Sequence, residues 1–151
     1  MGADARVEEL GLELPPPFPP AGTYVNAVRT GNLLVLAGHI PIGGEQIVLG
    51  KLGDDLDVDA GRAAARLAAL SALATLRAEL GSLDHVTQIV SLRGVVNATP
   101  DFTGHTHVID AASDVFVDVF GDRGRHARLA VGVSSLPANL ALEIELLVEV
   151  G

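Results

Sequence analysis

Two segments near the end of the chain decide the fold: Ala127-Arg128-Leu129-Ala130-Val131-Gly132-Val133-Ser134 and Leu140-Ala141-Leu142-Glu143-Ile144-Glu145-Leu146-Leu147-Val148-Glu149-Val150. In a strand, alternate side chains share a face. In the second segment Leu140, Leu142, Ile144, Leu146 and Val148 fall on one face, and Glu143, Glu145 and Glu149 on the other. One side is suited to a core. The other carries carboxylates, which either form a solvated face or supply one carboxylate that acts on a water. In the first segment Leu129, Val131 and Val133 are expected to enter a core, with Arg128, Ala130 and Gly132 on the opposite face. An arginine followed on its own face by Ala and Gly leaves space beside the guanidinium. Its planar fork suits a small carboxylate there, although the same pattern fits a structural arginine paired with one of the 19 acidic residues. Spacing leaves open whether the two strands are neighbours.

Working outward, Asp59 to Leu80 reads as a helix capped by Asp57 or Asp59. Its expected apolar stripe is Ala63, Leu67, Leu70, Leu73 and Ala74, with Arg62, Arg66 and Arg77 elsewhere and Gly81 as the stop. Val86 to Val96 is a strand broken by Asn97-Ala98-Thr99-Pro100, and His107 to Phe120 is a second helix ended by Gly121. Upstream, Thr23 to Arg29 and Leu33 to Gly38 form a hairpin about Thr30-Gly31-Asn32. Gly43-Gly44 makes a further turn, and Gln46 to Leu49 a third strand. Leu14 to Pro20 holds five of the eight prolines, so it is neither helix nor central strand. Residues 1–20 are read as an arm with a short helix and this Pro-rich segment, and 21–151 as one domain. The order βββ-α-β-α-ββ predicts an α+β, two-layer sandwich: a mixed sheet of about six strands with two helices on one face. Leu33 to Ala37 is apolar throughout, so the other sheet face needs cover as well. With no third layer in the sequence, oligomerisation is the expected way to provide it.

Composition narrows the function. The chain is 48% hydrophobic but only 3% aromatic, with Tyr24 the single tyrosine and no Trp. The net charge of −9 and the lack of a basic stripe argue against a nucleic-acid partner. The absence of Cys excludes disulfides, thiolate nucleophiles and Cys-based zinc sites. Met1 to Leu14 has no apolar signal-peptide core, and no apolar run approaches the roughly 20 residues of a membrane span, so a cytoplasmic location without membrane contact is expected. The histidines (His39, His85, His105, His107 and His126) lack a metal-ligand spacing, and no metal or cofactor is expected. His126 precedes Arg128 by two and either reaches the same pocket mouth or is a structural hydrogen-bonder. No Gly-x-Ser-x-Gly elbow or Gly-Lys-Ser/Thr phosphate loop occurs, and Gly38 to Gly44 is not a dinucleotide fingerprint because a strand follows it.

Arg128, its strand, Leu136-Pro137 and the Leu142-Glu143-Ile144-Glu145 strand resemble the signature of the RidA/YjgF family. Thr23-Tyr24-Val25-Asn26, Gly31-Asn32 and Ala37-Gly38-His39-Ile40-Pro41 resemble that family's N-terminal hairpin, and the likeness spans about residues 20–150. The resemblance implies a chorismate-mutase-like α+β domain that forms homotrimers with clefts between subunits. It implies cofactor-independent hydrolysis of reactive 2-imino or enamino acids to 2-keto acids and ammonia. Arg128 would clamp the substrate carboxylate and Glu143 would position and activate the water. Backbone groups at Gly38 and around Ala130, with Tyr24 at the mouth and His126 near it, would complete the pocket. The best-studied branch of the family has a Cys where Ala130 stands, an Asn in the second helix where Asp110 or Asp114 lies nearby, and a Gln where Asn26 stands. The stretch Gly121-Asp122-Arg123-Gly124-Arg125-His126-Ala127-Arg128 looks like that of a divergent subgroup. The alternatives are a non-catalytic or regulatory protein that binds small carboxylates and an endoribonuclease, the latter disfavoured by the −9 charge.

Overall fold

Helices cover one face of the sheet and leave the other bare. The computed structural model describes all 151 residues. In chain order the elements are α1 (Ala3–Glu9), β1 (Ala27–Thr30), β2 (Leu33–Leu36), β3 (Ile42–Gly43), β4 (Gln46–Ile47), α2 (Val58–Leu80), β5 (Val86–Asn97), α3 (His105–Phe120), β6 (Ala127–Val133) and β7 (Leu142–Val150). The main sheet runs β1-β2-β7-β5-β6. β5 and β6 are parallel and joined through α3, while the other pairs are antiparallel. The expected sheet of about six strands is therefore one of five. Gln46–Ile47 pairs with Ile42–Gly43 in a ribbon of its own, because the tight turn at Gly43-Gly44 folds this segment back on itself.

Local chemistry sets the helix limits. The Asp57 carboxylate accepts a hydrogen bond from the Ala60 N–H at 2.8 Å and caps α2. Gly81 ends it at φ 81°, a left-handed conformation open to glycine. Of the predicted stripe of α2, Leu70, Leu73 and Ala74 are buried, but Ala63 is exposed and Leu67 only half-buried, and Ala64, Ala65, Ala68, Ala69, Ala72 and Leu76 complete the buried face. The alanines matter because α2 packs on both the sheet and α3, and small side chains let the layers approach. Gly61 serves the same end, since a Cβ there would lie 2.8 Å from Leu52 and 3.0 Å from Val108.

β7 sits at the centre of the sheet and keeps its predicted alternation. Leu142, Ile144, Leu146, Val148 and Val150 are buried under the helices, and the residues between them face the other way. β6 reverses the expectation. Leu129 and Val131 lie on the uncovered face, 49% and 37% exposed, and Arg128 points to the helix side. The space predicted beside Arg128 is taken by α3. A Cβ at Gly132 would meet the His105 ring, and one at Gly94, paired with Ala130, would lie 2.7 Å from Ile109. Within the chain Ala130 packs against the core.

The uncovered face carries Val28, Val35, Leu129 and Val131, all exposed. No helix is long and apolar enough to cross a membrane. Between β6 and β7 the chain turns through Ala138 and Asn139 at φ 53° and 59°. Asn139 is held there: its carbonyl accepts from Gly50 N–H at 2.8 Å and its side-chain oxygen accepts from buried Asn97 at 3.0 Å. Ala138 has no side-chain tie of this kind. Ala138→Gly should therefore stabilise the fold by roughly 0.5–1 kcal/mol in denaturant unfolding; a destabilised variant would show that the turn carries no strain.

Candidate active site

Glu143 is the acid that the fold places in a cleft. Its neighbours Leu142 and Ile144 are anchored under the helices, so its own side chain emerges on the uncovered face. There it rests on Gly38, where a Cβ would lie 2.7 Å from Glu143 Oε2, so a side chain at position 38 would displace the carboxylate. The next residue locks this contact. His39 N–H donates to the Ile144 carbonyl at 2.6 Å, and Ile144 N–H returns a bond to the His39 carbonyl at 3.0 Å. The His39 ring is buried, which lowers its pKa and keeps it neutral. The Ala37 carbonyl only accepts, so Nδ1 carries the proton and donates to it at 2.7 Å, while Nε2 accepts from the Thr75 hydroxyl at 2.7 Å. The end of the hairpin is thereby bolted to α2 and to β7 beside the catalytic candidate.

The cleft has a volume of about 990 Å³ and contains Glu143, Gly38 and Tyr24 on its walls. Its rim is made by the arm: Asn26 Nδ2 donates to the Phe18 carbonyl at 2.7 Å, and the Ala21 N–H donates to the Tyr24 hydroxyl oxygen at 3.2 Å. The charged residues on the walls are Glu143 and Glu145, with no Lys or Arg. Burial raises the Glu143 pKa above the usual Glu value, and the nearby Glu145 charge adds to it. A smaller cavity of about 170 Å³ adjoins it and is lined by Arg93, whose Nη1 is 3.0 Å from Glu145 Oε1. Arg93 is thus already matched by an acid.

Arg128 belongs to a different cluster. In the strand register Arg128 pairs with Leu92 and Leu92 with Leu146, on the helix side; Glu143 pairs with Val95 and Val95 with Val131, on the uncovered side. Within one chain Arg128 and Glu143 therefore lie on opposite faces, with β5 between their strands. Arg128 is largely buried against α3. Its Nη1 donates to Asp110 at 2.7 Å and to the Ser113 hydroxyl oxygen at 3.0 Å, and Nη2 donates to the Thr106 carbonyl at 3.3 Å. Ser113 in turn donates to His126 Nε2 at 2.9 Å, and His126 Nδ1–H donates to the Gly124 carbonyl at 2.6 Å. This chain of bonds needs a neutral imidazole. Burial lowers the His126 pKa, outweighing the Gly124 bond, and the Arg128 charge lowers it further.

The structure therefore brings Tyr24, Gly38 and Glu143 together and groups Arg128 with His126 elsewhere, over a strand in which Ala130 faces α3. Asp110, not Asp114, is the acid on Arg128; Asp114 lies 3.9 Å from Arg62. Sequence reasoning missed Ser113, His39, Thr75 and Phe18. Asp110 and Ser113 stand three apart on one helix face, a spacing that could have marked them as partners of one cation. His39 and Thr75 left no such signal.

Fold and cleft define an α+β protein whose one-sided sheet displays an acid. The family described as "YjgF/chorismate_mutase-like, putative endoribonuclease" matches residues 4–150. The chain is similar to Protein TCP17 of Trypanosoma cruzi, with 43% identity over 96% of this chain and 92% of that one. It is 31% identical to the RutC family protein PH0854 of Pyrococcus horikoshii over 83% and 86% of the two chains. The crystal structure of Atu1372 from Agrobacterium tumefaciens superposes with a TM-score of 0.91 at 38% identity, covering 99% of this chain and 92% of that one. The chain belongs to the RidA/YjgF family.

The raised pKa of Glu143 makes a stability prediction. Just above the ordinary Glu value the folded chain binds more protons at this site than the unfolded chain, so stability falls as pH rises through that window. Glu143→Gln removes this penalty. The variant should unfold at a higher temperature than the parent at pH 7, with a flatter dependence between the ordinary Glu range and neutrality. A variant less stable than the parent at pH 7 would contradict the assignment.

Proposed function

We propose that the protein is a cofactor-independent hydrolase that deaminates small 2-imino and enamino acids to 2-keto acids and ammonia. The observation that carries this reading is the Glu143 carboxyl, held against Gly38 in an open cleft and shifted upward in pKa. A base whose pKa lies nearer the working pH transfers protons more effectively. An imine carbon is already electrophilic. Glu143 takes a proton from water as the water oxygen bonds to that carbon. The same proton then passes to the nitrogen to give a carbinolamine, the hydroxyl proton follows it by way of Glu143, and ammonia leaves as the C–N bond breaks and the carbonyl forms. An enamino acid first takes a proton on its β-carbon and then follows the same course.

The substrate carboxylate needs a cation, and the walls of the large cleft supply none. Arg128 meets that need from a second copy. It lies on β6, the outermost strand of the sheet. Asp110 and Ser113 hold its Nη1, which leaves Nε–H and one Nη2–H to form a side-on fork for a carboxylate. The bare apolar face favours association of copies, and a homotrimer with shared clefts satisfies both requirements. The −9 charge and the acidic walls disfavour RNA as a substrate. One observation favours the second reading, a non-catalytic binder of small carboxylates: Asp110 already pairs with Arg128, and a ligand carboxylate there must share the arginine with it.

Freshly generated 2-imino acids, with 2-keto acid and ammonia as readouts, separate the two. Turnover is expected, with a fall of roughly 10²–10⁴-fold in kcat for Glu143→Gln and a rise chiefly in KM for Arg128→Ala. Absence of turnover across the series, with a 2-keto acid still bound, would replace the hydrolase with the binding protein.

A further inference from the structure

The cleft is far larger than the reacting atoms of an imino acid require. We infer that it takes substrates with a bulky apolar side chain, and that Phe18, delivered by the proline-rich arm, is the residue that selects them. This rests on Glu143 marking the reacting end, as argued above.

The walls around Glu143 are of two kinds. Beside Gly38 and Glu145 they are polar or charged, and this is where the C=N group and its water must sit. Most of the other lining residues are apolar, Phe18, Val25, Ile40, Leu49 and Leu140 among them, together with Tyr24. Such walls add nothing to the chemistry at C2 but gain from burying hydrocarbon. A volume of about 990 Å³ lies at the upper end of what encloses a drug-sized ligand, so a three-carbon acid would leave most of this surface wet.

Phe18 is a wall residue placed by the arm and not by the hydrophobic core. It is 36% exposed and belongs to no helix or strand. Proline on both sides restricts the backbone before and after it, so the arm is stiff without being packed. The bond from Asn26 to the Phe18 carbonyl and the bond from the Ala21 N–H to Tyr24 then tie the arm down across the cleft. The order is that of a built wall: stiff backbone, two tethers and a large ring facing the cavity. Val28 and Val35 line the same cleft, while Leu129 and Val131 on β6 lie outside it and are left to a second copy of the chain.

The product 2-keto acids test this independently of turnover. Calorimetric titration should show Kd falling from pyruvate through 4-methyl-2-oxopentanoate to phenylpyruvate, by about tenfold or more over the series. Phe18→Ala should collapse that ratio by about tenfold, and Phe18→Leu should restore most of it, which a general loss of folding would not do. The inference is overturned if pyruvate binds as tightly as the larger acids, if Phe18→Ala keeps the full ratio, or if none of the three binds. A graded series of affinities without deamination of any imino acid would sink the proposed reaction and leave the side-chain pocket standing.

Discussion

A sheet with helices on one side only has to do something with its other side. Here α2 and α3 pack on the face formed by Leu142, Ile144, Leu146 and Val148 of β7 together with Ile89, Leu92 and Val96 of β5. The strict alternation of β7 then delivers Glu143, Glu145 and Glu149 to the bare face, at the centre of the sheet. A carboxylate at a strand edge would be solvated and ordinary. At the centre of a half-covered sheet it is partly desolvated by Gly38 and the hairpin, which accounts for the upward shift of its pKa. The same constraint exposes the valines and leucine that favour association. The acid in the cleft and the exposed apolar face thus follow from one packing decision.

That decision also sorts the charges. Arg128 is sent to the helix side, where burying an unpaired guanidinium would be costly. Asp110, Ser113 and the Thr106 carbonyl meet it, and neutral His126 completes the chain of bonds. The result is a cation held rigidly at the margin of the sheet, away from the acid of its own chain. Positioned groups of this kind are useful when the partner group arrives from elsewhere, because little ordering remains for the moment of binding. In the proposed shared site, the acidic cleft of one copy and the arginine of another are the two halves.

Much of this was legible in the sequence, and the failures have causes. The long helix was readable because Asp57 and Gly81 mark its ends, and β7 because its alternation runs without a break. The resemblance located Glu143, Gly38 and Tyr24, which the fold gathers in one cleft. The face of β6 was misread because both of its sides are apolar or small, so alternation cannot say which one the helices cover; the answer lies in Gly94 and Gly132, which are small to admit Ile109 and His105. The stripe of α2 was right at Leu70, Leu73 and Ala74 and wrong at Ala63 and Leu67, because alanine contributes little to a hydrophobic pattern yet forms most of the helix's inner face. The resemblance placed Asp110 or Asp114 near this wall, but only the crossover from β5 to β6, which sets α3 above Arg128, selects Asp110 and brings Ser113 beside it. The small Gln46–Ile47 ribbon escaped for a simpler reason: a short apolar run does not specify which neighbour it pairs with.

The most direct test of a shared site uses two defective chains. Arg128→Ala and Glu143→Gln are purified separately, unfolded, mixed in equal amounts and refolded together, and deamination of an imino acid is compared with each variant refolded alone. If the cleft of one copy is completed by Arg128 of another, random hybrids contain some sites with both native residues, about a quarter of the total. The account predicts activity in the mixture at about that fraction of the parent, well above either variant. A mixture no more active than the two variants separately, or an Arg128→Ala chain with undiminished activity by itself, would contradict it.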